Sequence, residues 1–549
     1  MKKTILALSL AFSFNSAFAG LTETIPTNHW IYKNIQELKI RGKLAKLDLN
    51  NLPFTKGEIV KAFEKETWAD DFSYEKVLRT EIENELESEF ASEGNSSLQA
   101  GFTLEPKFIN ADKNYQSRFD LTAESRTKIE KETESKTTVF LRTNLGFEVN
   151  EYLGVYQKIL LDGELDYQLS YSGNERFGLR GYNESAYILA DYKFLTAKLG
   201  RDYLTLGPGR TGKLVFSDNS EPFDQYFVEL KNSFAKFSFF GIRLDKSFSD
   251  DSTSTQFATN PQKAGFYLSN RFVNGHRLDL NFLDGKLNLG LSEIYLYSGE
   301  DRSFELNYVN PMGFYTGEQA NDDLKGEGGN SILSFDFDYY LKNNLRLYGG
   351  VVIDDYQIDD SSPEDLEPTE MGILLGTDWA DFFGFSGYTF SAEYFRVTNR
   401  TFNGQDKGAE KFLHRTKAIA HPFGNNFELF DLQISGRILP KLQATFGGKF
   451  YRKGDLNIVD RFNKAYLNFT AEEGYEEDFP FVSDDVKKAE KTLEYSLGLE
   501  YIHRENLRAV LDVDFASVSN YQNISGEKFS GVSYFKFGIL YDFSVSGNF

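Results

Sequence analysis

Through most of the chain apolar and polar residues alternate one for one. Over 139–150, Val139, Leu141, Thr143, Leu145, Phe147 and Val149 share one parity, and Arg142, Asn144, Glu148 and Asn150 the other. Over 155–171, Val155, Ile159, Leu161, Leu165, Tyr167, Leu169 and Tyr171 oppose Lys158, Asp162, Glu164, Asp166, Gln168 and Ser170. The pattern returns at Leu333/Phe335/Phe337/Tyr339, at Leu493/Tyr495/Leu497/Leu499/Tyr501 and at Ala509/Leu511/Val513/Phe515. Period two reads as strands with one apolar and one polar face. Asn274-Gly275 and Asp284-Gly285 interrupt such runs and read as two-residue hairpin turns. Between His29 and Phe90 the period is helical instead. Ile31, Ile35 and Leu38 form one stripe, and Leu78, Ile82, Leu86 and Phe90 a second. Thr55-Lys56-Gly57-Glu58 has the form of a capping box ahead of Ile59 and Phe63.

One-faced strands suit either a soluble antiparallel sheet or a membrane barrel with lipid outside and water inside. Length separates them. Several runs reach ten or more residues, as membrane strands require, against about five or six in soluble sheets. The last strand keeps Phe535, Phe537, Ile539, Tyr541, Phe543, Val545 and the terminal Phe549 on one parity. It resembles the C-terminal signature read by the machinery that assembles outer-membrane barrels, which makes that machinery an expected partner. Roughly 25 residues per strand and loop predict an all-β transmembrane fold, an antiparallel outer-membrane barrel of about 18 strands.

The first nineteen residues carry Lys2 and Lys3, an apolar core from Ile5 to Phe14 and an Ala17-Phe18-Ala19 cleavage site, which together read as a secretory signal peptide. The predicted division is therefore 1–19 signal peptide, 20–97 helical periplasmic or plug region, and 98–549 barrel. Composition now fits. Fifty-two Phe and 31 Tyr in a chain of mean hydropathy −0.44 pose a contradiction for a soluble protein. On one parity of a barrel they face lipid, and outer-membrane lipid becomes an expected partner. The net charge of −22, two units more negative after signal removal, argues against nucleic-acid binding. Absence of Cys excludes disulfides, thiolate metal sites and thiol nucleophiles.

Catalytic chemistry is sparse. Gly207-Pro208-Gly209-Arg210-Thr211-Gly212-Lys213 matches seven positions of a phosphate-binding loop, but Leu214 stands where a Ser or Thr must hold magnesium. It reads as a turn between strands. His29, His276, His414, His421 and His503 are scattered and read as surface histidines. Asp354-Asp355, Asp359-Asp360 and Glu364-Asp365 lack EF-hand spacing and read as a solvated loop. No serine occupies a recognisable nucleophile setting, so the expectation is a protein that is not an enzyme and has no cofactor or metal.

Several segments resemble a known family. Gly200-Arg201-Asp202, Gly207-Pro208-Gly209, Phe216-Ser217-Asp218-Asn219 and Pro222-Phe223-Asp224 are similar to a stretch of the Wzi-like capsule assembly proteins. Further matches are Tyr308-Val309-Asn310-Pro311-Met312-Gly313-Phe314-Tyr315, Leu345-Arg346-Leu347-Tyr348-Gly349 with Ile353-Asp354-Asp355, and Ala420-His421-Pro422-Phe423-Gly424. Ile25-Pro26, His29-Trp30-Ile31-Tyr32 and Leu38-Lys39-Ile40-Arg41-Gly42 resemble the helical entry segment of that family. The resemblance implies an 18-stranded outer-membrane barrel with a periplasmic helical bundle, acting as a lectin that attaches capsular polysaccharide to the cell surface. Arg201, Asp202, Arg210, Asp218 and Asp224, in the most family-like segment, become candidate polysaccharide-binding residues. Their alternative role is to fold a loop into the lumen. A substrate-specific porin is the competing function, suggested by charged inward-facing strand residues.

Overall fold

In the computed structural model the described residues are 20–68, 74–90, 96–112, 133–164, 179–248, 268–317, 328–342, 344–355, 369–404, 408–415, 417–460, 479–482, 487–504 and 506–548. The signal segment, the tail of the 155–171 run and Phe549 lie outside them. Four helices come first: α1 Ile31–Ile40, α2 Lys56–Lys65, α3 Tyr74–Glu85 and α4 Glu87–Phe90. Long strands follow: β1 Ser97–Asp112, β2 Thr133–Asn150, β3 Leu153–Asp162, β4 Arg180–Tyr192, β5 Leu195–Asp202 and β6 Phe223–Lys231. Next come β7 Ala235–Arg243, β8 Leu268–Phe282, β9 Leu287–Gly299, β10 Gly328–Lys342, β11 Leu345–Asp355 and β12 Glu370–Ala380. The last are β13 Tyr388–Val397, β14 Phe427–Leu439, β15 Leu442–Lys453, β16 Glu490–Arg504, β17 Leu507–Ser519 and β18 Lys528–Asn548.

Each strand pairs antiparallel with its neighbours, and β1 pairs with β18 from Ser97 opposite Asn548 to Ala111 opposite Tyr534. The sheet therefore closes as an 18-stranded barrel. Closure matters because hydrocarbon offers no partner to an unpaired backbone group. Among the described residues no helix is long and apolar enough to cross a membrane. The alternation decides which way each side chain points. On β18 Phe535, Phe537, Ile539, Tyr541, Phe543 and Val545 face outward and remain 36 to 42 % exposed. On β8, β10 and β11 the inward parity carries Arg277, Asp279, Asp336, Asp338 and Arg346, all nearly without exposure.

Short turns such as 151–152, 193–194 and 440–441 alternate with long connections such as 203–222 and 398–426. In barrels of this kind the short turns are periplasmic. Asp284-Gly285 forms one of them, with Leu283, Asp284 and Gly285 all at positive φ. Asn274-Gly275 does not turn: it lies inside β8, paired with Tyr295 and Ile294. Gly275 is needed there because the Phe240 ring occupies the space of a side chain, 2.4 Å from the Cβ position.

The helical region enters the barrel from the short-turn end. Thr55 caps α2 as its sequence predicts: the Glu58 N–H donates to Thr55 Oγ1 at 3.1 Å, and the Thr55 N–H to the Glu58 carboxylate at 3.0 Å. The apolar stripes pack on one another through Ile31, Ile35, Leu38, Ile59, Phe63, Leu78, Ile82 and Leu86. The polar surface of this bundle meets the polar wall. Thr389 Oγ1 donates to Glu37 at 2.7 Å, Asn50 Nδ2 to Asn288 at 3.1 Å, and the Thr22 N–H to Glu148 at 2.6 Å. Arg508 stacks its guanidinium 4.0 Å from the Trp30 ring.

Glu23 is buried between Lys56 and Lys158, at 2.8 and 2.9 Å. Burial opposes its ionisation, but the two ammonium groups prevail and hold it at about 2. A carboxyl depressed in the folded state stabilises it above the unfolded value and loses that contribution as pH falls. Acidification from about 4.5 toward 2 is therefore expected to loosen residues 20–65 from the wall. Hydrogen exchange of the detergent-solubilised protein checks this, and Glu23→Gln should show the same loosening at pH 7.

Candidate functional site

The 203–222 connection folds inward. Thr205–Leu206 pairs antiparallel with Asn51–Leu52 of the helical region, and the Gly207 N–H donates to the Asn50 carbonyl at 2.8 Å. The Ser217 N–H donates to the carbonyl of Ile419 in the 398–426 connection, at 2.8 Å. Phe216 has no exposed surface and meets Phe223, Phe240 and Phe412 edge-on, with centroids 5.7, 5.4 and 5.4 Å away. Around it Ile242, Val273, Leu296, Val352, Leu374 and Phe395 point inward from β7 to β13. Over β7–β13 the lumen is thus filled by a dry core.

The lumen stays polar on the other side. A cavity of about 410 Å³ lies between Lys33 of α1 and the inward faces of β14–β18. Its polar lining is Gln433, Gln443, Thr445, Ser496, Glu500, Asp512, Asp514 and Tyr534, beside Leu497, Gly498, Leu499 and Val510. Hydroxyl and amide groups both donate to and accept from sugar hydroxyls, carboxylates accept from them, and Tyr534 adds a ring face. Lys33 Nζ reaches Thr445 Oγ1 at 3.5 Å.

The five sequence candidates do not form one site. Arg201 and Asp224 make a bidentate pair, at 2.6 and 2.8 Å, on the outer wall of the barrel. Asp202 faces inward, 3 % exposed, and accepts from Lys198 Nζ at 2.7 Å and Thr24 Oγ1 at 3.1 Å. Arg210 projects from the infolded loop and binds Asp431 and Gln433 through its guanidinium, while its N–H donates to Glu393 at 2.6 Å. Asp218 is exposed on the same loop. Arg210 alone borders the cavity, through Gln433. Sequence reasoning missed the cavity residues, although those on β16, β17 and β18 are the polar parity of strands whose apolar parity it reads, while β14 and β15 went unread.

The phosphate-loop match proves to be part of the lumen plug. Lys213 turns back to donate to the Gly209 carbonyl at 2.8 Å, leaving no cradle for a phosphate. The histidines are not all at the surface: His414 and His421 are 4 and 2 % exposed. His421 stacks on Phe427 at 4.5 Å, and burial holds its ring at about 3, so it is neutral at physiological pH. Asp354 is half-buried, accepting from the Phe402 N–H, whereas 359–365 lies outside the described residues. Among the described residues no group of three or more His, Asp or Glu could hold a metal ion.

A closed antiparallel barrel with an apolar exterior, entered by chain from both ends, defines an outer-membrane β-barrel. Residues 91–527 match the model of the capsule assembly protein Wzi family, and the chain belongs to that family. A solved structure of Escherichia coli Wzi, described as an outer membrane protein involved in group 1 capsule assembly and a carbohydrate-binding β-barrel, matches with TM-score 0.59. The two are 14 % identical, over 95 % of this chain and all of that one. Pseudomonas aeruginosa OccK5 matches more weakly, at TM-score 0.42 and 9 % identity over 82 % of this chain and 98 % of that one, and carries no argument. A search of curated proteins finds no match.

Phe216→Ala should weaken the plug core by about 3–5 kcal/mol, the usual range for a buried Phe. In planar bilayers the wild-type protein is expected to be silent, and Phe216→Ala to show transient conductance steps.

Proposed function

We propose that this barrel binds surface polysaccharide of the capsular class and holds it at the cell surface, without catalysing a reaction. The observation that carries the reading is the polar luminal cavity beside a plugged pore. It offers hydrogen-bonding groups on five adjacent strands and Lys33 as a counter-charge, but no nucleophile activated by a base. Membership of the capsule assembly family, and the carbohydrate binding described for the Escherichia coli relative, support the same reading. Arg210 is retained as a contact because its guanidinium fixes Gln433 at the cavity edge.

The rest of the assignment follows from chemistry. Residues 1–19 act as an export signal, outer-membrane lipid covers the apolar belt, and the assembly machinery reads the last strand ending in Phe549. A substrate-specific channel is opposed by the dry core, since ion flow would need a continuous wet path.

Calorimetric titration of the refolded protein with purified capsular polysaccharide tests the proposal. Gln443→Ala and Glu500→Gln should each weaken binding about fivefold to tenfold, the worth of one hydrogen bond of about 1–1.4 kcal/mol. Cells lacking the protein should release capsule into the medium. Unchanged affinity in both variants, with full capsule retention in the deletion strain, overturns it.

A further inference from the structure

The apolar belt of the barrel is uneven. A strand tilted near 40° rises about 5 Å along the barrel axis for every two residues, and outer-membrane barrels carry an apolar band about 25 Å tall. On β18 the outward apolar residues run from Phe535 to Val545, enough to span that band. On β8 they run only from Phe282 to Leu278, and on β9 from Leu287 to Leu291, or about 10 Å. Above them polar groups enter the outward parity, with His276 and Asn274 on β8, Glu293 on β9 and Ser331 on β10 standing among Phe272, Tyr295, Tyr297 and Leu333. Polar and charged groups on a lipid-facing wall are costly.

Residues 299–317 cover this patch. The segment leaves β9 and folds back down the outside of the wall. The Thr316 N–H and hydroxyl donate to Glu293 at 2.9 and 3.0 Å, and His276 Nε2 lies 3.0 Å from the same carboxylate. Asn274 Nδ2 donates to the Tyr308 carbonyl at 3.2 Å, and the Tyr297 hydroxyl to Asn274 Oδ1 at 3.0 Å. Tyr295, Tyr297, Tyr308 and Tyr315 form a buried aromatic layer between segment and wall, with Tyr297 and Tyr308 at 4.8 Å and His276 and Tyr315 at 4.8 Å. The other side of the segment carries Leu306, Met312 and Phe314, which are 80, 84 and 67 % exposed.

We propose that 299–317 is a strap embedded in the outer leaflet, whose Leu306, Met312 and Phe314 contact acyl chains and complete the apolar belt over β8–β9. Continuity with the belt identifies the occupant. These three side chains are exposed on a segment whose other residues bind the outward groups Asn274 and Glu293, which follow Leu278 and Leu291 along β8 and β9. The strap seals the polar wall groups from lipid and supplies the missing apolar surface in one element.

The chain has no Cys, so single-cysteine labelling is clean. Met312→Cys and Phe314→Cys, each nitroxide-labelled, are reconstituted in vesicles of phosphatidylethanolamine and phosphatidylglycerol. Phe537→Cys on the β18 belt and Glu527→Cys on an exposed connection serve as references. Collision with oxygen relative to a water-soluble nickel complex should match Phe537→Cys at both strap positions and exceed Glu527→Cys about tenfold. A ratio equal to that of Glu527→Cys places the strap in water and overturns the proposal. Protection from both reagents, with cross-linking between copies through residue 312, assigns the face to a second copy and also overturns it.

Discussion

A backbone in hydrocarbon must find every hydrogen-bond partner within itself, and closure of β1 against β18 meets that requirement. Everything else in the molecule follows from the closed ring. An eighteen-stranded ring encloses more space than its own side chains fill, so the lumen must be wet, plugged or both. Here it is both, divided by sector. Over β7–β13 the infolded 203–222 connection meets inward Ile, Val, Leu and Phe and makes a dry core. Over β14–β18 the inward parity stays polar and leaves room.

The charged wall shows how the plug and the ring stabilise each other. Arg277, without exposed surface, lies between Asp279 at 2.6 Å and Asp336 at 2.7 Å, and Arg346 bridges Asp338 and Asp378 at 2.7 and 2.9 Å. Such pairs tolerate burial only when both partners are fixed. The rigid register of adjacent strands fixes them, and the helical region covers them from the short-turn end, where Lys39 lies over the Tyr340 ring at 4.8 Å. A chain with 82 acidic and 60 basic residues thus hides much of its charge inside.

Period-two alternation was sufficient for the architecture, because a closed barrel imposes one parity for lipid and one for the lumen. The capping box at Thr55 and the turn at Asp284-Gly285 were legible for the same reason: each is a local device with its own chemistry. Asn274-Gly275 misled because the same dipeptide serves a different constraint, the close approach of the Phe240 ring inside the lumen. The site was much less legible. Arg201 and Asp202 are neighbours in sequence and point to opposite sides of the wall, a consequence of strand geometry that motif similarity ignores. The cavity residues come from five strands, so no short window of sequence brings them together. The descent of 299–317 along the outer wall is a tertiary event with no local pattern.

The two-residue ladder between Asn51–Leu52 and Thr205–Leu206 is small, yet it joins the element entering from one side of the membrane to the loop entering from the other. Those main-chain bonds lie inside a ring whose own shape is held by continuous pairing, so displacement of either partner cannot be absorbed by the wall. The ladder is a mechanical linkage across the bilayer: the helical bundle and the infolded loop cannot shift independently of each other.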